Sequence, residues 1–240
     1  MTLLIKLLIV HLIVDFTLQW RAMLADKQNQ RFRSPYLYLH GLLHGLLTLA
    51  ILADLNYFYG ALIIFVSHTI IDGLKLTLQT KNNERLLFFV DQLVHIAILV
   101  GIAHYYQPIA FLSITAHDYF YPHLLFIIYI TFPASIVIQK IFLKWDLSDI
   151  AASASLVGAG AYIGIIERLI IYGAVVTLNW NIIGFLLAAK SIFRFGDMRD
   201  AHDRKYTEYI FVGTLLSFIS AILCGVLFML YTGQSLTSQP

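Results

Sequence analysis

The chain has 240 residues, 59% of them hydrophobic and 12% charged, with a formal net charge of +2. Soluble domains carry about one-quarter charged residues, so this composition excludes an ordinary globular protein and points to an integral membrane protein, while so small a charge excludes a nucleic-acid partner. The single cysteine, Cys224, excludes a disulfide framework or a cysteine metal cluster.

A spanning helix needs about 20 mostly apolar residues, and the hydropathy pattern predicts about eight such helices. The first, 2–20, lacks the charged start and small-residue cleavage site of a signal peptide and is read as a retained span. Its stretch VHLIVDFTLQW holds His11 and Asp15 four residues apart. The next three helices repeat that spacing: 36–54 has His40 and His44 in LHGLLHG, 57–77 has His68 and Asp72 in SHTIIDG, and 86–106 has Asp91 and His95 in VDQLVHI. After an uncharged loop, helices follow at 124–144, 156–178, 180–195 and 208–231. The expected architecture is an all-α polytopic transmembrane bundle. It comprises a His/Asp-rich membrane domain (1–106), an outer interfacial loop (107–123) and a C-terminal membrane domain (124–240).

The connections RAMLADKQNQRFRSP, QTKNNER, KWDLSD and RFGDMRDAHDRKYTE are charged, whereas ADLNY, YYQPIAFLSITAHDYFYP and LNWN have no Lys or Arg. By the positive-inside rule the first set is cytoplasmic, which places both termini outside. Aromatic residues such as Tyr57, Phe58, Tyr59, Tyr105, Tyr106 and Trp180 gather near the outer ends, as interfacial anchors do.

Residues four apart share a helix face. Counting inward from the cytoplasmic ends, Asp15, His40, Asp72 and Asp91 lie about 6–8 Å inside the hydrocarbon, and His11, His44, His68 and His95 about 12–14 Å inside. Ionisable groups at such depth are costly unless they face the bundle interior and find partners. One HxxxD in an apolar helix is ordinary interhelical hydrogen bonding. Four pairs at shared depth call for a common cause, and metal ligation supplies it, since Asp and neutral His suit zinc foremost, then iron or manganese. A subset of the eight would be ligands and the rest would orient imidazole tautomers. One of Asp15, Asp72 or Asp91 would act as general base in a metal-dependent hydrolysis.

Around this set, Gln19 and Gln92 are placed to bond ligands or substrate, and Lys75 to receive a phosphate or lipid headgroup. Lys27, in the first cytoplasmic loop, is read as a topology determinant. Gly41, Gly45 and Gly73 are read as close-packing positions. His104, His117, His123 and His202 look incidental.

The motifs HLIVDFTLQ, HGLLH, HTIIDGLK and DQLVH together resemble the bacterial membrane family catalogued as domain of unknown function 3307, over roughly residues 8–100. GAYIGIIERLIIY, AAKSIFRFGD and TEYIFVGTLLSF resemble the C-terminal half of its longer members. The resemblance implies a multi-pass protein of the bacterial cytoplasmic (inner) membrane and no established activity. A looser similarity to membrane-bound metal-dependent hydrolases implies hydrolytic metal chemistry.

In the second half, Glu167 and Arg168 fall mid-helix, Lys190 lies inside the next helix and Arg194 near its cytoplasmic end. Adjacent residues diverge by about 100° on a helix. Glu167 is therefore expected to pair with Lys190, with Arg168 seeking other partners. Arg168, Lys190 and Arg194 form either a structural ion network or an anion pocket for a phosphate-bearing lipid. The leading expectation is a cytoplasm-facing intramembrane metal site acting on a lipid or lipid-linked substrate. An ion- or proton-coupled transporter using the same residues and a non-catalytic membrane scaffold are the alternatives.

Overall fold

The computed structural model describes residues 2–107, 119–144, 159–195 and 201–234, the side chains of 159, 193–195 and 201–207 excepted. All regular structure among them is helical: α1 (Thr2–Phe16), α2 (Arg21–Gln30), α3 (Pro35–Leu52), α4 (Phe58–Leu78), α5 (Glu84–Tyr106), α6 (Phe120–Ile130), α7 (Phe132–Phe142), α8 (Ala159–Val176), α9 (Trp180–Phe195) and α10 (Ala201–Thr232). Five stretches, Pro35–Leu52, Leu55–Leu78, Glu84–Tyr106, Phe120–Phe142 and Glu208–Thr232, are long and apolar enough to cross a membrane. Thr2–Phe16 with Arg21–Arg33 makes a sixth if counted as one bent span. The chain is a multi-pass membrane protein.

One compact unit contains α1 to α5. In it, α1 packs against α3 and α5, and α4 packs against the same two, which closes a ring of four helices. The sequence prescribes the inward faces. Buried residues recur at every fourth position: Leu3, Leu7 and His11 on α1, Ile64, His68 and Asp72 on α4, and Asp91, His95, Leu99 and Ala103 on α5. Four residues advance slightly more than one turn, so each ladder stays on one side of its helix. Its apolar rungs Leu3, Leu7, Ile64, Leu99 and Ala103 form one buried cluster. The polar rungs follow the apolar ones on α1 and α4 and precede them on the oppositely directed α5, so the polar pocket is closed at that end by an apolar layer.

Lipid is as apolar as these side chains, so close packing and polar contacts hold the ring together. A Cβ on Gly45 would lie 3.1 Å from the Ala61 carbonyl oxygen, and one on Gly41 would overlap the Thr69 hydroxyl. These two glycines bring α3 and α4 into near backbone contact. Gly73 differs from its expected role: its bare Cα accommodates the Phe32 ring rather than a neighbouring backbone.

Two boundaries depart from the sequence reading. The first helix ends at Phe16 rather than residue 20. The charged connection after it folds as α2, the axis through Arg21–Arg33 turning 84° from α1. RAMLADKQNQ is rich in good helix formers, and its two buried side chains, Met23 and Lys27, lie on one face at i, i+4. The 124–144 helix starts at Phe120 and breaks at Thr131 into α6 and α7, because Pro133, in the first turn of α7, has no N–H to continue the ladder. α10 likewise begins before residue 208, within the stretch read as a charged connection.

A second compact unit contains α7 to α10; α10 packs on α8 and α7, and α9 on α8. Arg168, on α8, is buried against the break at Thr131. Its guanidinium donates to the Ile130 carbonyl, to the Thr131 carbonyl at 2.9 Å, to Ser135 Oγ at 2.6 Å and to Ser217 Oγ at 3.1 Å. Carbonyls at the break thus find donors in the buried interior. Arg168→Met should remove them all and lower unfolding stability by about 3 kcal/mol, read by denaturant titration in micelles; a change below about 0.5 kcal/mol would dismiss this role.

Candidate metal centre

The ring of α1, α3, α4 and α5 gathers all eight His and Asp side chains into one pocket. The His11 ring lies 5.6 Å from His44, 5.7 Å from His68 and 5.6 Å from His95. His44, His68 and His95 form a stack with centroid spacings of 3.7 and 3.8 Å. His40 adjoins His44 at 4.8 Å and His68 at 5.0 Å. Seven of the eight residues are buried, and the Asp15 side chain is 8% exposed.

Asp15 is the hub. Its Oδ1 lies 3.0 Å from His44 Nε2, 3.1 Å from His40 Nε2 and 3.2 Å from His68 Nε2. Its Oδ2 accepts from Gln92 Nε2 at 3.0 Å and stands 3.7 Å from His11 Nε2. Asp72 and Asp91 each give one oxygen to a lysine: Lys27 Nζ donates to Asp72 Oδ2 at 3.0 Å, and Lys75 Nζ to Asp91 Oδ2 at 2.7 Å. Their other oxygens turn inward, Asp72 Oδ1 3.6 Å and Asp91 Oδ1 3.4 Å from His95 Nε2.

Hydrogen bonds among the described residues leave some polar atoms of this cluster crowded and others unpaired. Lys27 Nζ, which can only donate, also bonds Gln19 Oε1 at 3.1 Å and so fixes the orientation of that amide. Gln19 Nε2 thus faces outward from the lysine, donating to the Asp15 carbonyl at 3.2 Å and lying 3.1 Å from His40 Nε2. His40 Nε2 also lies 3.1 Å from Asp15 Oδ1, so one ring nitrogen meets an amide NH2 and a carboxylate at once. His68 Nε2, 3.2 Å from His40 Nε2, adds a further nitrogen to the same junction. Three buried polar atoms, His40 Nδ1, Asp91 Oδ1 and His95 Nε2, have no hydrogen-bond partner among the described residues. A buried atom left unpaired costs about 1–3 kcal/mol. A cation among them would take their lone pairs as ligands.

The donor atoms fit that purpose. Three overlapping groups, His11–Asp15–His44–His68, His40–His68–Asp72 and Asp72–Asp91–His95, each offer ligand atoms within 4.8 Å of one another. Metal–ligand bonds of about 2.0–2.2 Å in a tetrahedral site put neighbouring ligand atoms roughly 3.3–3.6 Å apart, close to the spacings around Asp15 and His95. A cavity of about 10 Å³, near the room one water needs, is lined by His11, His44, His68 and His95 with Ile64, Ser67, Ile98 and Leu99.

The supporting residues fall unevenly against expectation. Gln19 and Gln92 sit inside the network, Gln92 Oε1 also lying 3.2 Å from His11 Nε2. Lys75, its side chain 23% exposed, donates to Asp91 Oδ2. Lys27, read from sequence as a topology determinant, is buried against Asp72. The one signal for it was its i+4 spacing from Met23 inside a run of helix formers. In the second unit Lys190 Nζ donates to Glu167 Oε2 at 2.5 Å, the expected pair. Arg168 is engaged by carbonyls and hydroxyls, which leaves little of it for an anion. The side chain of Arg194, His117 and the side chain of His202 lie outside the described residues.

Residues 3–127, more than half of the chain and including all eight pocket residues, match the family model described as "Protein of unknown function (DUF3307)", a longer stretch than the 8–100 expected. No curated protein and no solved structure matches the chain.

Proposed function

The chain belongs to the DUF3307 family, and we propose that its buried His/Asp pocket is a divalent-metal centre serving hydrolysis at the cytoplasmic side of a bacterial inner membrane. The observation that carries this reading is the junction at Asp15 Oδ1, where three imidazole nitrogens approach one carboxylate oxygen within 3.2 Å. In this reading α8 and α9 are also spans, giving about eight in all with both termini outside. Asp15 anchors the metal, with ligands drawn from His11, His40, His44 and His68, and zinc suits the set best. Bound metal lowers the pKa of a coordinated water to about 7 and polarises a phosphoryl or carbonyl oxygen. The small cavity beside His11, His44 and His68 has room for that water. Gln92 holds Asp15 Oδ2 and Gln19 holds His40, fixing their orientation. The proton from water passes to one of the three carboxylates. The depth of the pocket favours a lipid or lipid-linked substrate that enters from the bilayer.

The test is elemental analysis of chain purified without chelators into nanodiscs, followed by stripping with phenanthroline and reloading. About one equivalent of metal should co-purify, and ester hydrolysis should disappear and return with it. Metal-replete cells yielding chain with less than about a tenth of an equivalent would sink the reading. A proton- or cation-conducting role is the second reading. It is favoured by the run of contacts Lys27–Gln19–His40–Asp15–Gln92–Asp91–Lys75. The apolar cluster at the far end of the pocket weighs against a path through the bundle, and pH-driven flux in proteoliposomes would decide for conduction.

A further inference from the structure

The Asp72–Asp91–His95 corner differs from the Asp15 junction. Here the polar atoms are short of partners, not crowded. Asp91 and His95 are each 3% exposed, yet Asp91 Oδ1 and His95 Nε2 have no hydrogen-bond partner, and both point at the same space as Asp72 Oδ1. A proton on His95 Nε2 would have to serve two carboxylate oxygens at 3.4 and 3.6 Å, beyond good hydrogen-bond length for either. Those separations do suit two ligand atoms sharing a metal at about 2.0–2.2 Å. Asp72 belongs to this group and also to the one containing His40 and His68. A carboxylate with a place in both can bridge neighbouring cations.

Charge decides when this corner fills. Asp15, Asp72 and Asp91 carry three negative charges into the pocket and Lys27 and Lys75 two positive ones. With neutral imidazoles the pocket has a net charge of −1. One divalent cation with a hydroxide brings it to zero. A second divalent cation alone leaves an excess of +2 in a low-dielectric interior, which is strongly disfavoured. A phosphate dianion cancels that excess.

We propose that Asp72, Asp91 and His95 form a second divalent-cation site that loads together with a phosphate-bearing ligand, so that the substrate of the pocket is a phosphate ester. This rests on the first metal centre proposed above. Two cations held there would supply the clamp that two-metal sites use on the attacking and leaving oxygens of an in-line displacement. The phosphate reaches the pocket either as a lipid headgroup or as a free phosphate group, and the chemistry of recognition is the same.

The full chain in phosphatidylcholine nanodiscs, stripped and titrated with Mn2+, tests this by metal stoichiometry and by the spin-coupled signal of a manganese pair. About one equivalent should bind with Mn2+ alone and about two, with the pair signal, when phosphate is present. One arm supplies inorganic phosphate below its precipitation limit and another supplies phosphatidic acid in the nanodisc; whichever raises the stoichiometry identifies the source. Asp91→Asn and His95→Ala should hold at one equivalent in every arm, and their retained first cation certifies the fold. Wild type that stays at one equivalent in all arms overturns the second site and leaves the first centre standing. No cation at all removes the first centre as well. Two cations without phosphate, or variants that lose both together, overturn the separate, phosphate-coupled site.

Discussion

Asp15→Asn should strip the centre of its metal and leave the fold in place. The amide keeps the volume of the carboxylate. It can still accept from Gln92 Nε2, now at 3.0 Å from Asp15 Oδ2, and its NH2 can donate to the imidazole nitrogens around Oδ1. Packing and most hydrogen bonds therefore survive. The anionic ligand oxygen at the centre of the junction does not. A group that merely supports a ligand costs about 10–100-fold in metal affinity. Loss of the anchoring carboxylate should exceed about 100-fold, and Gln92→Ala should fall inside the supporting range. Competition against a chromophoric chelator reads both. Asp15→Asn with wild-type affinity would move the centre away from Asp15 Oδ1 and undo the argument from the crowded junction.

The second large effect belongs to Lys27. Its ammonium is buried, 3.0 Å from Asp72 Oδ2 and 3.1 Å from Gln19 Oε1, and it is brought there by the α2 helix folding back over the pocket. Lys27→Met keeps the alkyl stem and Met23-side packing but leaves Asp72 Oδ2 facing an apolar chain. Breaking a buried ion pair from one side costs about 3–5 kcal/mol, whereas replacing both partners is often close to neutral. Lys27→Met should therefore lower unfolding stability in micelles by about that amount, and Lys27→Met with Asp72→Asn should recover most of it. If the single variant unfolds like wild type, α2 does not dock on the pocket. If the double variant is as unstable as the single one, Lys27 acts through packing and not through charge.

How much of this was legible beforehand depends on how local each signal is. The i+4 pairs His11/Asp15, His40/His44, His68/Asp72 and Asp91/His95 could be placed together because helix geometry fixes the face and apolar length fixes the depth. Glu167 and Lys190 could be paired for the same reason: two opposite charges in neighbouring apolar helices have few other partners. Lys27 could not be found this way. Its role depends on the 84° turn after Phe16, and a polar decapeptide reads alike as a loop or as an interfacial helix. Arg168 was visible as a costly charge, but its partners are carbonyls exposed only because Pro133 breaks the helix across from it.

The sequence by itself determined an all-helical membrane chain and the residues that form its polar pocket, because spacing along a helix and the cost of polar groups in lipid are properties of local sequence. Only the tertiary structure decided how those groups divide. Asp15 became the crowded hub, Asp72 and Asp91 each kept one oxygen for a lysine, and Asp91 with His95 was left short of partners. Closing the ring of α1, α3, α4 and α5 sets which lone pairs meet, and no periodicity along a single helix carries that information.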